Sequence, residues 1–188
     1  MKIAVIGAGH IGRTLGEKWK AAGHDVVYGV RSPGAPGTAS IDDAAVSAEI
    51  VVIAVPGAAA KEIFATLGST LSGKVVIDAS NDMASSPKLH SLDLAPDALR
   101  VRAFNTLGWE NFAEPVVGGV QADLLYAAEE GRGRDVAERL IRDVGLRPVW
   151  LGGPDAFELC DSVTRIWFAL ALRRGLGRRL AFKVLTDE

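Results

Sequence analysis

The 188-residue sequence has little of several features that define protein classes. Its single cysteine, Cys160, excludes an internal disulfide and a zinc site built from several cysteines. A formal net charge of −2 argues against the strong basic field of a nucleic-acid-binding domain. No apolar run reaches the roughly 18 residues of a membrane span, and the first residues lack a signal-peptide pattern. We therefore expect a cytoplasmic protein that binds neither nucleic acid nor a membrane.

The apolar residues form short runs that alternate with stretches of helical period. Parallel strands need crossover connections, and helices of this kind supply them. The predicted fold class is therefore α/β, a Rossmann-type, doubly wound and mostly parallel sheet that forms one domain over residues 1–155. Strands are predicted at Lys2–Ile6, Asp25–Val30, Glu49–Val55, Lys74–Ala79, Arg100–Phe104, Asp123–Ala127 and Leu146–Trp150, and helices at Ile11–Ala22, Ile41–Ser47, Ala58–Leu67 and Arg134–Val144.

The pattern changes in the last segment, residues 156–188. An apolar stripe of helical spacing begins at Ala156, includes Cys160 and Trp167, and continues to Leu185. This predicts a short C-terminal helical extension in which Cys160 is a small buried side chain. So short an extension can hardly enclose a substrate pocket alone, and we expect it to contribute to the cleft and to contacts in a homodimer.

A glycine-rich loop directly follows the first predicted strand and opens the first predicted helix. In a loop of the form G-x-G-x-x-G the first glycine permits a tight turn, the second lets backbone approach a pyrophosphate, and the third lets helix and strand pack closely. The helix N-terminus then points free N–H groups at the phosphate oxygens. The residues of this loop, which we predict to bind a dinucleotide, are Gly7, Ala8, Gly9, His10, Ile11 and Gly12.

The segment after the second predicted strand indicates which dinucleotide is bound. An NAD-binding chain is expected to place Asp or Glu here to hold the ribose hydroxyls. This sequence has Gly29, Val30 and Arg31 instead. Glycine leaves room for a 2′-phosphate and Arg31 can donate charge-assisted hydrogen bonds to it, with Ser32 adding a hydroxyl or N–H group. NADP is thus the predicted cofactor.

Several blocks along the chain resemble the NADP-dependent oxidoreductases that use coenzyme F420, a 5-deazaflavin, and more distantly the cytosolic reductase domain of six-transmembrane ferric reductases. The blocks are spread over nearly the whole chain, which makes the resemblance more specific than the glycine loop alone. They are residues 6–33 (IGAGHIGRTLGEKWKAAGHDVVYGVRSP), 51–56 (VVIAVP), 76–83 (VIDASNDM), 102–108 (RAFNTLG), 145–155 (GLRPVWLGGPD) and 175–185 (GLGRRLAFKVL).

The resemblance implies where the nicotinamide and a second cofactor would meet. Three short loops, each after a predicted strand, would line that cleft. Their residues are Val55 and Pro56, Ala79 and Ser80, and Asn105 and Thr106.

The sequence offers little for acid–base chemistry. It has no Tyr-x-x-x-Lys pair, and none of its three histidines has a carboxylate partner at a motif spacing. Hydride exchange with a deazaflavin or flavin mainly requires two aligned ring planes, so we expect no catalytic side chain, with Trp109 and Phe112 shielding the stack. A basic segment, Arg173 to Arg179, is predicted to attract an anionic coenzyme tail.

The predicted function is hydride transfer between NADP(H) and a planar small-molecule acceptor or donor, with coenzyme F420 as the first choice. Two alternatives stay open. One is an NADPH-dependent reductase of a flavin, a quinone or a small carbonyl or imine. The other is a module that senses NADP without turnover.

Overall fold

The structure is a computed structural model that describes residues 1–82 and 90–187. Met83, the last residue of the block at 76–83, and Glu188, the last residue of the predicted extension, lie outside the described residues. The strands of the described part are β1 Lys2–Ile6, β2 Asp25–Gly29, β3 Thr38–Ala39, β4 Ile50–Ile53, β5 Val75–Asp78, β6 Leu99–Arg102, β7 Val116–Val117, β8 Val120–Gln121, β9 Asp123–Ala128 and β10 Arg147–Trp150. The α-helices are α1 His10–Ala21, α2 Ile41–Ser47, α3 Gly57–Leu67, α4 Trp109–Ala113, α5 Arg132–Val144 and α6 Phe157–Phe168.

Eight of these strands form one sheet in the order β10-β9-β6-β5-β4-β1-β2-β3. All neighbours are parallel except β6 and β9, which pair antiparallel. Strands β7 and β8 form a separate antiparallel pair. The sheet order reverses between β1 and β4, which is the topological switch point where ligands bind in open α/β folds. The predicted Rossmann-type, mostly parallel sheet is confirmed.

Two cores cover the two faces of the sheet because alternate residues of each strand point to opposite sides. On β1, Ile3 and Val5 join a core formed with α1 and α5, whereas Ala4 and Ile6 join a core formed with α2 and α3. The strands β1, β4 and β5 are apolar on both faces, as strands covered on both sides must be.

Helix α6 contributes to both cores. Its first turns bury Phe157 and Cys160 in the core on the α2 and α3 side, and its last turn buries Trp167 in the core on the α1 and α5 side. The helix therefore passes from one face of the sheet to the other beside the carboxyl end of β6. Cys160 is fully buried, as predicted, and burial raises the pKa of its thiol to about 12.

The predicted extension is helical only in its first part. Helix α6 ends in a π-helical turn at Ala169–Arg173, and Gly175 and Gly177 then take positive φ angles of +74° and +88°. These left-handed residues end the helix, so the apolar residues beyond them are not a helical stripe. Leu176 and Leu185 are exposed, and the following segment runs in irregular conformation to a single bridge between Phe182 and Asp123.

The strand predicted at residues 100–104 is Leu99–Arg102. It stops early because Phe104 has a φ of +63°, a left-handed conformation that a bulky residue rarely adopts. In the described ranges, no helix combines the length and the apolar character needed to cross a membrane.

Candidate functional site

The carboxyl ends of five parallel strands lie side by side in one register. Ile6 pairs with Gly29 on one side and with Ile53 on the other, Ile53 pairs with Asp78, and Asp78 pairs with Arg102. Each loop predicted to bind cofactor begins just after this row. Four strand spacings separate β2 from β6, roughly 19 Å, so the row can contact an extended ligand along its length.

The glycine loop shows which of its glycines the fold itself requires. Gly7 has a φ of +104°, and a Cβ there would lie 2.6 Å from the carbonyl oxygen of Ala54. A Cβ at Gly12 would collide with the carbonyl oxygen of Gly7. Gly9 is different, because its φ of −77° suits any residue and a Cβ there would meet nothing within 4 Å. Packing explains the first and third glycines, and it leaves the second without a structural reason.

A cleft of about 560 Å³ opens between this loop and the ends of β2 and β4. Four charged or polar side chains also line this cleft, those of Arg31, Asp42, Glu62 and Thr66. Within the described residues, Arg31, Asp42 and Glu62 form no ion pair. The predicted site residues that line this cleft are Gly7, Ala8, Arg31, Val55 and Pro56.

The other predicted residues of the nucleotide end lie outside the cleft lining. Ser32 is exposed just beyond Arg31, and the side chain of Ile11 packs against the core. His10 is exposed at the first position of α1, where its ring stacks on Trp109 with 4.9 Å between centroids. Gly29 lines the cleft, but its lack of a side chain has a packing reason, because a Cβ there would lie 2.5 Å from the Ile6 side chain.

The loops after β5 and β6 are buried and hydrogen-bonded to one another. Asn81 Nδ2 donates to the carbonyl oxygen of Asn105 at 3.2 Å. Asn105 Nδ2 donates to Thr164 Oγ1 at 3.0 Å, whereas its Oδ1 is buried and has no hydrogen-bond partner among the described residues. Ala79 and Ser80 are also buried. Thr106 is fully buried and donates to the carbonyl oxygen of Leu125, so its hydroxyl faces β9 rather than the cleft.

A buried arginine, Arg102, organises this end of the row. Its Nη1 donates to the carbonyl oxygens of Asp78 at 2.9 Å and Ser80 at 2.7 Å. Its Nε and Nη2 donate to Oδ1 of Asp161 on α6 at 3.0 Å and 2.6 Å. Our sequence analysis missed both residues as site residues. A signal was present, because a charge inside an apolar strand or helical stripe has to be paired when it is buried.

The aromatic residues predicted to shield a ring stack have different positions. Phe112 is fully buried and packs edge-on against Phe104 with 5.7 Å between ring centroids, so it is a core residue and the prediction for it is wrong. Trp109 is half-buried at the start of α4, and its stack with His10 closes the gap between α4 and the glycine loop.

Half of the basic segment is committed to structural contacts. Arg178 forms an ion pair with Glu110, and Arg179 donates to the carbonyl oxygens of Glu110, Glu114 and Val116. The predicted attraction of an anionic tail would therefore rest on Arg173 and Arg174, which are exposed.

The histidines and tyrosines are held in ways that do not suit proton transfer at the cleft. His24 pairs with Asp143 at 2.8 Å, a partner 119 residues away, and it lies at the amino end of β2, opposite the cleft. His90 is partly buried beside Phe157 with its Nε2 3.8 Å from Oδ2 of Asp161, and burial followed by the charge of Arg102 lowers its pKa. Burial and a hydrogen bond to a glutamate raise the pKa of Tyr28 and of Tyr126.

Comparisons with known proteins find similarity in sequence and in fold. Residues 2–82 match the family model described as NADP oxidoreductase, coenzyme F420-dependent. The metalloreductase STEAP3 of Rattus norvegicus is 26% identical over 170 residues, which are 80% of this chain and 34% of that protein, so the chain spans about a third of the length of this relative. The family resemblance predicted from the sequence is confirmed over residues 2–82, the part of the chain that the family model matches.

Solved structures share the fold over the whole chain. A candidate F420-dependent NADP reductase from Arthrobacter sp. FB24 superimposes with a TM-score of 0.86 at 24% identity, over 99% of this chain and 100% of its own. A hypothetical protein from Sinorhizobium meliloti superimposes with a TM-score of 0.68 at 25% identity, over 100% of this chain and 96% of its own.

Proposed function

We propose that this chain, whose residues 2–82 match an NADP oxidoreductase family, transfers hydride between NADP(H) and a planar acceptor, with the 5-deazaflavin coenzyme F420 as that acceptor. In this proposal the nicotinamide supplies or receives the hydride. The protein binds both partners, aligns their rings and keeps water away from them.

The observation that carries the proposal is the open space at Gly9. The fold needs glycine at positions 7 and 12, but nothing in the structure lies within 4 Å of a Cβ at position 9. A glycine without a packing role at the N-terminus of α1 is what close approach of a pyrophosphate to the backbone requires. The loop, the helix and the adjoining cleft therefore fit a dinucleotide.

Arg31 supports NADP over NAD. It is exposed in the cleft at the end of β2, no carboxylate occupies the end of that strand, and no described residue pairs with its guanidinium. A guanidinium so placed can donate paired hydrogen bonds to a 2′-phosphate. Asp42 and Glu62 line the same cleft and make its charge less favourable for a phosphate than Arg31 alone would.

The acceptor follows from the kind of chemistry that the cleft residues can support. Among the described residues, His24 lies at the far end of β2 and pairs with Asp143, His90 is held between Phe157 and Asp161, and both tyrosine hydroxyls donate to glutamates. A carbonyl substrate would need a proton for its alkoxide, whereas a deazaflavin ring carries its own charge. The description of the family model names the same coenzyme.

The test is an anaerobic absorbance assay of NADPH and NADH oxidation with coenzyme F420, FMN, a quinone and a small carbonyl compound in turn. Turnover with the deazaflavin and NADPH is the expected result. Turnover with another acceptor only would replace coenzyme F420 by that compound. Tight NADPH binding without oxidation by any acceptor would make the chain a sensor and would overturn the proposal.

We also propose that the chain acts as a homodimer through α6. Leu159 and Ile166 are each 52% exposed on that helix and lie seven residues apart, so they share one face of it. Light scattering after size-exclusion chromatography should give twice the mass of one chain, and a mass of one chain would contradict this proposal.

A further inference from the structure

At the end of the row near β6, hydrogen bonds and an ion pair join three elements that lie far apart in sequence. Arg102 on β6 is 3% exposed and binds the turn after β5 through the carbonyl oxygens of Asp78 and Ser80. The same guanidinium binds Asp161 on α6, 59 residues away in sequence. One side chain thus fixes the turn after β5 to the helix that passes beside the carboxyl end of β6.

Asn105 is fixed by the same set of contacts. Its Nδ2 lies 3.0 Å from Thr164 Oγ1 and 3.5 Å from Asp161 Oδ1, and its carbonyl oxygen accepts from both Thr164 and Asn81. The left-handed Phe104 directly before it shows that this loop is held against its local preference. In the part of the chain that the structure describes, no hydrogen-bond partner faces its Oδ1.

Arg102 is buried and Asp161 is partly buried, and an ion pair with a buried charge is a costly way to join a helix to a sheet. Replacement of such a pair by apolar residues is often neutral or stabilising, so its presence calls for a benefit other than stability. The contacts of Arg102 include the backbone of Asp78 and Ser80 and, at 3.6 Å, the Asp78 carboxylate. Asp161 lies 3.8 Å from His90, and both Asp161 and Thr164 contact Asn105. These are the two loops that would face the nicotinamide.

We propose that Arg102 and Asp161 are positioning residues that hold the nicotinamide wall in place before the cofactor binds. The wall is defined as Ser80, Asn81 and Asn105. This inference rests on the proposed function and deepens it. It places the nicotinamide half of the cofactor at the β5 and β6 end of the row, and none of the wall residues lines the 560 Å³ cleft. Arg102 and Asp161 act through the wall and do not touch the reacting atoms.

The experiment separates the two halves of the cofactor. Affinities for NADP⁺ and for 2′,5′-ADP, which lacks the nicotinamide half, are measured for the wild type, Arg102→Lys and Asp161→Asn. Affinity for 2′,5′-ADP should stay within about twofold because the adenosine end is untouched, whereas affinity for NADP⁺ should fall toward that of the fragment. In the acceptor assay kcat should fall about tenfold to a hundredfold, since misplacement by an ångström has effects of that size.

Arg100→Lys is the matched control. Arg100 lies on the same strand and pairs with Glu129, but it has no contact with the wall in the described structure. It should change neither the affinity ratio nor kcat. Thr164→Val is a milder variant that removes the hydroxyl bound to Asn105 and keeps the buried ion pair, so it tests the wall if the charge variants do not fold.

Equal losses of affinity for NADP⁺ and for 2′,5′-ADP, or a lower melting temperature with an unchanged affinity ratio, would overturn the inference. A wild type that binds NADP⁺ no more tightly than the fragment would overturn it as well. If the wild type failed to oxidise NADPH with any of the acceptors, only the proposed reaction would be overturned. The ratio of the affinities for NADP⁺ and 2′,5′-ADP would still test the role of the wall.

Discussion

The glycine loop and the C-terminal part of the chain differ in how their polar groups are held in position. The loop uses backbone, with glycines and the N-terminus of α1 in one continuous stretch, residues 7–12. The C-terminal part uses charged side chains whose partners are far away in sequence, such as Arg102 with Asp161 and Arg147 with Asp123. Local chemistry explains the first region, and only the fold explains the second.

The largest effect on stability is expected in the glycine loop, where the same substitution can be compared at Gly7 and at Gly9. Gly7→Ala would place a Cβ 2.6 Å from a carbonyl oxygen at a φ of +104°, so we expect a loss of about 3 kcal/mol in the free energy of unfolding. Gly9→Ala should change that free energy by less than about 0.5 kcal/mol, because the site is open and its φ suits alanine.

Denaturant unfolding and NADPH titration measure the two effects. Gly9→Ala is expected to weaken NADPH binding by at least about tenfold although the protein stays folded, since the Cβ would lie where the pyrophosphate approaches. A Gly9→Ala protein that binds NADPH as tightly as the wild type would remove the main support for a dinucleotide site.

The second prediction concerns the carboxylate that anchors the C-terminal tail. Asp123 is fully buried and accepts hydrogen bonds from Arg147, Lys183 and the backbone N–H of Val184, at 2.6 to 3.0 Å. Burial alone would raise the pKa of Asp123, but these three donors outweigh it and the pKa is lowered. Asp123→Asn should cost about 2 kcal/mol in the free energy of unfolding at pH 7, because an amide cannot accept from all three.

The pH dependence follows from the sign of that shift. A carboxylate with a lowered pKa in the folded state stabilises the protein above its unfolded pKa, about 3.9, and this contribution is lost as the pH falls further. The difference between wild type and Asp123→Asn in denaturant unfolding should therefore shrink between pH 5 and the lowest pH at which the protein folds. Asp97→Asn, at an exposed position, is the control, and a difference that stays constant with pH would refute the anchor role.

The sequence was sufficient for the fold and the loop because both depend on neighbours in the chain. Alternating apolar runs predict the sheet, and the G-x-G-x-x-G spacing places Gly7 and Gly12 where packing demands them. Two of the wall residues, Ser80 and Asn105, were predicted only from a family resemblance. Arg102 and Asp161 could not be paired from the sequence because their contact depends on how α6 passes beside the sheet. The prediction of a helix beyond residue 173 was wrong because Gly175 and Gly177 take positive φ angles that end the helix, although the apolar residues continue at helical spacing.

The smallest expected effect lies at the exposed adenosine end, where Arg31 faces water and two carboxylates in the same cleft. Arg31→Ala should raise the KM for NADPH about tenfold, the value of one charge-assisted hydrogen bond of about 1.4 kcal/mol, and leave the KM for NADH nearly unchanged. Arg132→Ala is the control, since Arg132 is exposed at the start of α5 and does not line the cleft. Asp42→Asn should act in the reverse direction and lower the KM for NADPH, because it removes a negative charge from the cleft that would hold the 2′-phosphate. Equal changes for NADPH and NADH in the Arg31 variant would show that the guanidinium does not contact that phosphate, and the preference for NADP would then need another origin.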